Sequence, residues 1–247
     1  MSKQFFIVVI LWIVLTAAGE ALVIALTPFL LPSRAALEGQ IVDDAFRTLM
    51  MLAVPVLAFV VAMLIYSVLR FRRRGEPTQD GPAMRSHGPF IAGWMLVSTA
   101  LTIVMIVHPG ITGMNALRAQ AGKDVDLVVQ VEGSRWNWKI TYPQHKVISR
   151  TELVLPVDGH IRFEVSSTDV LHAFWIPSFR MKIDAVPGMM TTIYATPSKT
   201  GSFSSDHKIR LQCAEACGIL HDKMMVPVRV LEQKEFETWL SQQVKVD

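Results

Sequence analysis

The sequence contains no internal repeat and no low-complexity tract, so neither a solenoid nor a biased, unstructured chain is its plan. It is also short of charge. Asp, Glu, Lys and Arg make up 18% of 247 residues, against 51% hydrophobic, and the mean hydropathy is +0.36. That is too apolar for one ordinary soluble domain. Cysteine is almost missing, with only Cys213 and Cys217 present. Beyond Pro109 long apolar runs are missing too, and so is any excess of acid: 16 Lys or Arg stand against 15 Asp or Glu from that point on. A broad acidic face for docking a basic partner is therefore not visible in the composition.

The apolar residues are concentrated in the first 110 positions. Phe5 to Leu31 is nearly unbroken, interrupted by Glu20 and Pro28; Leu49 to Leu69 lacks a charge; Phe90 to Val107 is a third run. A bilayer-spanning helix needs about 20 such residues. Residues 1–110 are thus expected to form a transmembrane anchor with helices near 5–31, 48–69 and 90–108. The first run has features of a signal peptide, with Lys3 ahead of it and Thr16-Ala17-Ala18 as small residues. Its apolar character continues from Ala21 to Leu31, which favours a retained helix; two or three spans are expected. Arg70, Arg72, Arg73, Arg74 and Arg85 mark the 70–89 loop as cytoplasmic, because short basic loops stay inside. The chain after Pro109 is then outside. A basic loop pinned to a membrane speaks against nucleic acid as a partner, and membrane lipid is the expected surroundings. Glu20, an acid inside an apolar run, is by default a functional hint, though a weak one.

Residues 111–247 read as an all-β domain. Leu127–Val131, Thr151–Leu155, Ile161–Val165, Thr191–Ala195 and Met225–Leu231 are short and rich in β-branched or aromatic residues, several with alternating polarity. Pro156–Gly159, Pro187-Gly188 and Pro197–Gly201 punctuate them. This pattern predicts a β-sandwich or barrel. Only Glu232–Val244 reads as a helix, with Phe236 and Leu240 on one face.

The densest chemistry lies in Cys213–Met224, CAEACGILHDKM, where two cysteines, a histidine and a methionine share one loop. These soft or borderline donors suit copper far better than calcium or magnesium. A disulfide would close a small ring and leave His221 and Met224 unexplained. A structural zinc site seldom recruits methionine and needs a fourth strong donor. A single blue-copper centre leaves one thiolate idle. Two thiolates bridging two coppers use every donor but lack one imidazole. His172, in Asp169–Pro177 after the strand near Val165, is the candidate.

These motifs resemble subunit II of the haem–copper cytochrome c oxidases. That family carries a Cys-x-Glu-x-Cys-Gly-x-x-His-x-x-Met loop and an upstream Asp-Val-x-His run, and both occur here without a gap. Pro177-Ser178, Lys182, Asp184-Ala185 and Pro187-Gly188 follow in the family order, and Trp136-Asn137-Trp138 resembles its aromatic patch. The resemblance spans roughly residues 48–231. It implies a membrane-anchored, cupredoxin-like β-domain with a dinuclear copper centre, CuA. Cys213 and Cys217 would bridge the coppers, and His172 and His221 would be terminal imidazoles. Met224 would be a weak thioether ligand and Glu215 a backbone-carbonyl ligand. The Glu215 carboxylate would help hold magnesium at the catalytic-subunit interface, and Trp136 would be the electron entry point.

The implied function is electron transfer from an external donor to the haem-bearing catalytic subunit I, for oxygen reduction coupled to proton pumping. The donor is cytochrome c or a small copper protein. The implied location is a bacterial plasma membrane with the C-terminal domain periplasmic. Other readings stay open: the copper subunit of a nitric oxide reductase, or a copper-free subunit of a quinol oxidase. The chain departs from the family pattern at Ile91, where a glutamate is usual at the mouth of a proton channel. It departs again at Met189, where arginine is usual, and at Asn137 within the aromatic patch.

Overall fold

The computed structural model describes residues 3–72, 75 and 86–243. Among the described residues, three helices are long and apolar enough to cross a membrane: Lys3–Leu30, Glu38–Arg70 and the longer helical stretch Gly88–Gly122. The first is α1 and the second α2. Helix α2 begins at Glu38 rather than near residue 48. Its first turns, Glu38–Arg47, mix charged and apolar side chains and so leave no trace in a reading based on apolar runs. Helix α3 covers Gly88–Met105, with the His87 imidazole accepting the Phe90 N–H as a cap. The helical path then breaks at His108, which is extended (φ −137°, ψ 120°) ahead of Pro109. The ring of a following proline disfavours the helical region for the residue before it. A short helix α4, Thr112–Arg118, follows. Within the helical unit the Trp12 indole donates to the Pro55 carbonyl at 2.8 Å and meets Phe59 edge-on. Of the basic loop expected at 70–89, Arg73, Arg74 and Arg85 lie outside the described residues.

Residues up to Leu31 with Asp44–Met114 form one compact unit, and Pro32–Asp43 with the chain from Asn115 form the other. The second is a cupredoxin-like two-sheet β-sandwich. Its strands are β1 Leu127–Ser134, β2 Asn137–Tyr142, β3 Val147–Ser149, β4 Leu153–Pro156, β5 Ile161–Ser167 and β6 His172–Ile176. They continue with β7 Met181–Ala185, β8 Thr191–Ala195, β9 Gly201–Ser202, β10 Arg210–Cys213 and β11 Met225–Leu231. One sheet runs β3-β2-β1-β5-β8; the other runs β4-β11-β10-β6-β7, with β9 on β11. Pairs β1–β5 and β4–β11 are parallel, the remaining ladders antiparallel.

Strands β1, β5 and β11 alternate buried and partly exposed residues, as period-two side chains require. Their inward faces meet Trp138, Phe163, Phe174 and Leu211 in the core. Helix α5, Gln233–Ser241, seals one flank with Phe236, Trp239 and Leu240. The Tyr142 hydroxyl donates to the Val154 carbonyl and accepts its N–H, both at 2.9 Å, so one side chain closes both backbone groups across β2 and β4.

Pro32–Asp43 joins this sandwich as a strap. Ala35 N–H donates to Ser178 O, Leu37 N–H to Thr196 O, and Ser198 N–H to Ala35 O. Ala35 and Ala36 are fully buried. Arg180 binds Asp43 at 2.7 Å and the Pro32 carbonyl at 2.6 Å.

Candidate metal centre

Strand register builds the site. In the β6–β10 ladder Cys213 stands opposite Phe174, so His172, at the start of β6, is carried alongside the end of β10. The loop between β10 and β11 is closed by Cys213 N–H to Met224 O at 2.9 Å and fastened to β6 by Ala214 N–H to Ala173 O at 3.1 Å. A single turn, His221–Lys223, reverses the chain so that His221 and Met224 face back towards Cys217. Gly218 sits at φ +124°, where a side chain would be strained.

The donor atoms converge. Cys213 Sγ lies 3.8 Å from Cys217 Sγ and 3.8 Å from His172 Nδ1. Cys217 Sγ lies 3.5 Å from His221 Nδ1 and 3.8 Å from Met224 Sδ. The Glu215 carbonyl accepts from Cys213 Sγ at 3.2 Å, while the Glu215 residue itself is exposed. His172 is fully buried, Met224 and both cysteines nearly so, and His221 is half-buried. His172, Cys213 and Cys217 form a group able to hold a metal ion, their donor atoms within 4.8 Å of one another.

A disulfide requires sulfurs about 2.05 Å apart, and both cysteines are free thiols. A metal–thiolate bond is about 2.3 Å, so two sulfurs at 3.8 Å can both reach one ion. Burial, with the neighbouring Cys213 thiol, pushes the Cys217 thiol up to about 11.

Asp169 holds His172 from behind. Its carboxylate lies 2.9 Å from His172 Nε2, which leaves Nδ1 facing sulfur. Burial works against the charged carboxylate. Hydrogen bonds outweigh it: from the Arg135 backbone N–H, from His172, from the Val170 N–H and from the Arg135 side chain. Together they hold Asp169 well below the usual carboxylate range. Sequence reasoning used Asp169 only as part of a motif. Its position three residues ahead of the histidine was the available signal for this supporting role.

The two tryptophans separate. Trp138 is fully buried, edge-on to His172 and Phe174. Gly133 gives it room, since a Cβ there would stand 3.1 Å from both the Trp138 ring and His172 Cδ2. Trp136 precedes β2 in the tight connection from β1, so strand alternation does not govern it. Its half-buried indole lies on the loop, where a Cβ at Gly218 would be 3.2 Å from the ring. Ile91, Asn137 and Met189 are exposed, and Glu20 is half-buried.

The family model for cytochrome c oxidase subunit II, periplasmic domain, matches residues 144–231. Cytochrome c oxidase subunit 2 of Thermostichus vulcanus is 36% identical over 214 residues, covering 83% of this chain. The probable cytochrome c oxidase subunit 2 of Rickettsia bellii is 27% identical over 220 residues, covering 80% of it. The chain spans 61% of the Thermostichus relative's length and 77% of the Rickettsia one's. The crystal structure of the periplasmic domain of subunit II of the Bradyrhizobium japonicum cytochrome oxidase is 32% identical, with TM-score 0.45. It covers 49% of this chain and 95% of that one.

Proposed function

Because this chain belongs to the cytochrome c oxidase subunit II family, we propose that it is the electron-entry subunit of a haem–copper terminal oxidase. The unit made of residues up to Leu31 and Asp44–Met114 anchors it in a bacterial plasma membrane, and the unit made of Pro32–Asp43 and the chain from Asn115 is its periplasmic copper domain. The observation that carries the reading is the pair of thiols 3.8 Å apart with an imidazole beside each. That donor set fits two copper ions: soft sulfur at the centre, nitrogen at the flanks. Bound there, a dinuclear copper pair supplies one-electron redox chemistry.

The chain's own residues do the rest. Cys213 and Cys217 would hold the copper pair as thiolates. His172 and His221 would supply imidazoles, Met224 a weak thioether and Glu215 its backbone carbonyl. Asp169 fixes the orientation of His172, so the donors are in place before metal arrives. The near-complete burial of both cysteines keeps water from the sulfurs. The half-buried Trp136, resting on Gly218, offers an aromatic path between the surface and the loop. An external donor, cytochrome c or a small copper protein, gives electrons there, and subunit I receives them to reduce oxygen to water with proton pumping. Glu215 is exposed, and its carboxylate would share a magnesium ion at the boundary with subunit I.

Paramagnetic resonance and metal analysis of the copper-loaded protein test this. The expected result is about two coppers per chain and a multi-line mixed-valence signal. A four-line single-copper spectrum, or zinc in place of copper, overturns it.

A further inference from the structure

Away from the copper loop, the strap and the sandwich share a buried row of polar groups. Glu38 Oε1 lies 3.0 Å from Thr196 Oγ1, Thr196 Oγ1 lies 3.1 Å from His160 Nδ1, and His160 Nε2 lies 3.0 Å from the Gln120 carbonyl. Glu38, Thr196 and His160 are all more than nine-tenths buried. The second Glu38 oxygen accepts the Thr196 backbone N–H at 2.8 Å. Four separate segments therefore meet in one row: the first turn of α2, the connector after α4, the turn before β5 and the end of β8.

Counting protons decides what this row is. The three contacts need three hydrogens. A carboxylate and a carbonyl only accept, a hydroxyl has one hydrogen, and a neutral imidazole has one. With Glu38 ionised and His160 neutral there are two, so one contact sets two lone pairs face to face at about 3 Å. If His160 donates to Gln120, Thr196 can serve His160 or Glu38 but not both. If His160 carries its hydrogen on Nδ1, the lone pair on Nε2 faces the Gln120 carbonyl. A buried mismatch of this kind costs about 1–3 kcal/mol. One further proton satisfies every contact.

We propose that Glu38, Thr196 and His160 form a proton-binding site that holds one extra proton at neutral pH, carried on His160 as imidazolium. Three observations place it there rather than on Glu38. Glu38 lies in the first turn of α2, where the helix N-terminus favours negative charge. It also accepts a backbone N–H, which favours the ionised form. The Tyr194 ring stacks on the imidazole, centroids 5.6 Å apart and 7° from parallel, a geometry that favours a cation. The charged groups nearby include Asp126, whose carboxylate accepts the His160 backbone N–H at 2.7 Å, Asp43, which is paired with Arg180, and Arg118, Arg180 and Lys182. These three cations line a cavity of about 400 Å³ together with Glu38, Gln120 and Tyr194. The site is thus a buried ion pair bridged by a hydroxyl, and the bound proton completes one of several ties between the strap and the sandwich.

Histidine nitrogen NMR of the full-length chain in detergent, with the copper centre reduced, tests this directly; His160→Gln assigns the signals. The expected spectrum at neutral pH shows both His160 nitrogens protonated. In Glu38→Gln the new amide supplies the missing hydrogen to Thr196, so His160 loses one N–H signal while the fold remains. Thr196→Val loses it as well, and Thr196→Ser keeps both. A wild-type His160 with one bare nitrogen overturns the proposal. So does a second N–H that persists in Glu38→Gln or Thr196→Val.

Discussion

Asp169 illustrates how a residue outside the ligand set fixes the geometry of one inside it. Removing its carboxylate in Asp169→Ala frees His172 Nε2 and both Arg135 groups. Copper retention should weaken about 10–100-fold, read by competition against a chelator, with circular dichroism unchanged. Retention equal to wild type would assign Asp169 a purely local role. At Gly218 a valine is forced into a backbone region that costs about 1–3 kcal/mol, and its Cβ arrives against the Trp136 ring. Gly218→Val should therefore slow electron uptake from the donor more than it disturbs the copper spectrum, and stopped-flow mixing separates the two effects. At this scale much was legible from sequence. The cysteine loop offered four donor side chains, the resemblance added the Glu215 carbonyl, and the missing imidazole pointed to His172. What spacing could not supply was direction. The tight connection before β2 turns Trp136 towards the loop while Trp138 goes into the core, and strand alternation gave no hint of that split.

Among the elements, β2 and β4 depend on a single hydroxyl. In Tyr142→Phe the Val154 N–H and carbonyl both lose their partner in a fully buried place. The expected loss of stability is about 2 kcal/mol or more, measured by denaturant titration of the copper-loaded protein. A change within error would require water to replace the hydroxyl. The strap was the element least visible beforehand. Its apolar residues, Ala35, Ala36, Leu37, Ile41 and Val42, form no long run in sequence, and its attachment is mostly backbone hydrogen bonds and Arg180. Neither leaves a periodic signature. The early start of α2 went unseen for the same reason, because Glu38–Arg47 is polar enough to read as a loop. The strands with alternating polarity, by contrast, were readable, since a half-buried sheet imposes that alternation: β11 from end to end, and β1 and β5 from their first residues, though the reading stopped at Val131 and Val165, short of Ser134 and Ser167.

For the molecule as a whole, metal and pH are linked through the thiols. In the metal-free protein the Cys217 thiol is raised from 9.0 to about 11, so folding favours the protonated form. A raised value stabilises the fold fully below the unfolded value and loses that contribution as pH rises through the folded one. Metal-free protein should lose stability between about pH 9 and pH 11, and Cys217→Ser should flatten that part of the curve. Tyr142, whose buried phenol is also pushed up, acts at the alkaline end in both proteins, so the difference between the two melting curves isolates the thiol. Copper displaces the thiol protons and should remove the dependence. Identical curves for wild type and variant would break this link.

The strap also sets an order of events during synthesis. Pro32–Asp43 leaves the ribosome early, yet its partners Ser178, Arg180, Thr196 and Ser198 come more than a hundred residues later. In between, two long apolar helices have to be made. Throughout that interval Ala35 and Ala36 have nothing to cover them, and Arg180 is not yet present to meet Asp43. The sandwich therefore cannot be completed strand by strand from its own start at β1. Its last-made segments must capture the first-made one, so chains stalled before β9 would display an unclaimed strap to proteases. Limited proteolysis of ribosome-bound chains of graded length should show cleavage within 32–43 that disappears once residues 196–198 have emerged.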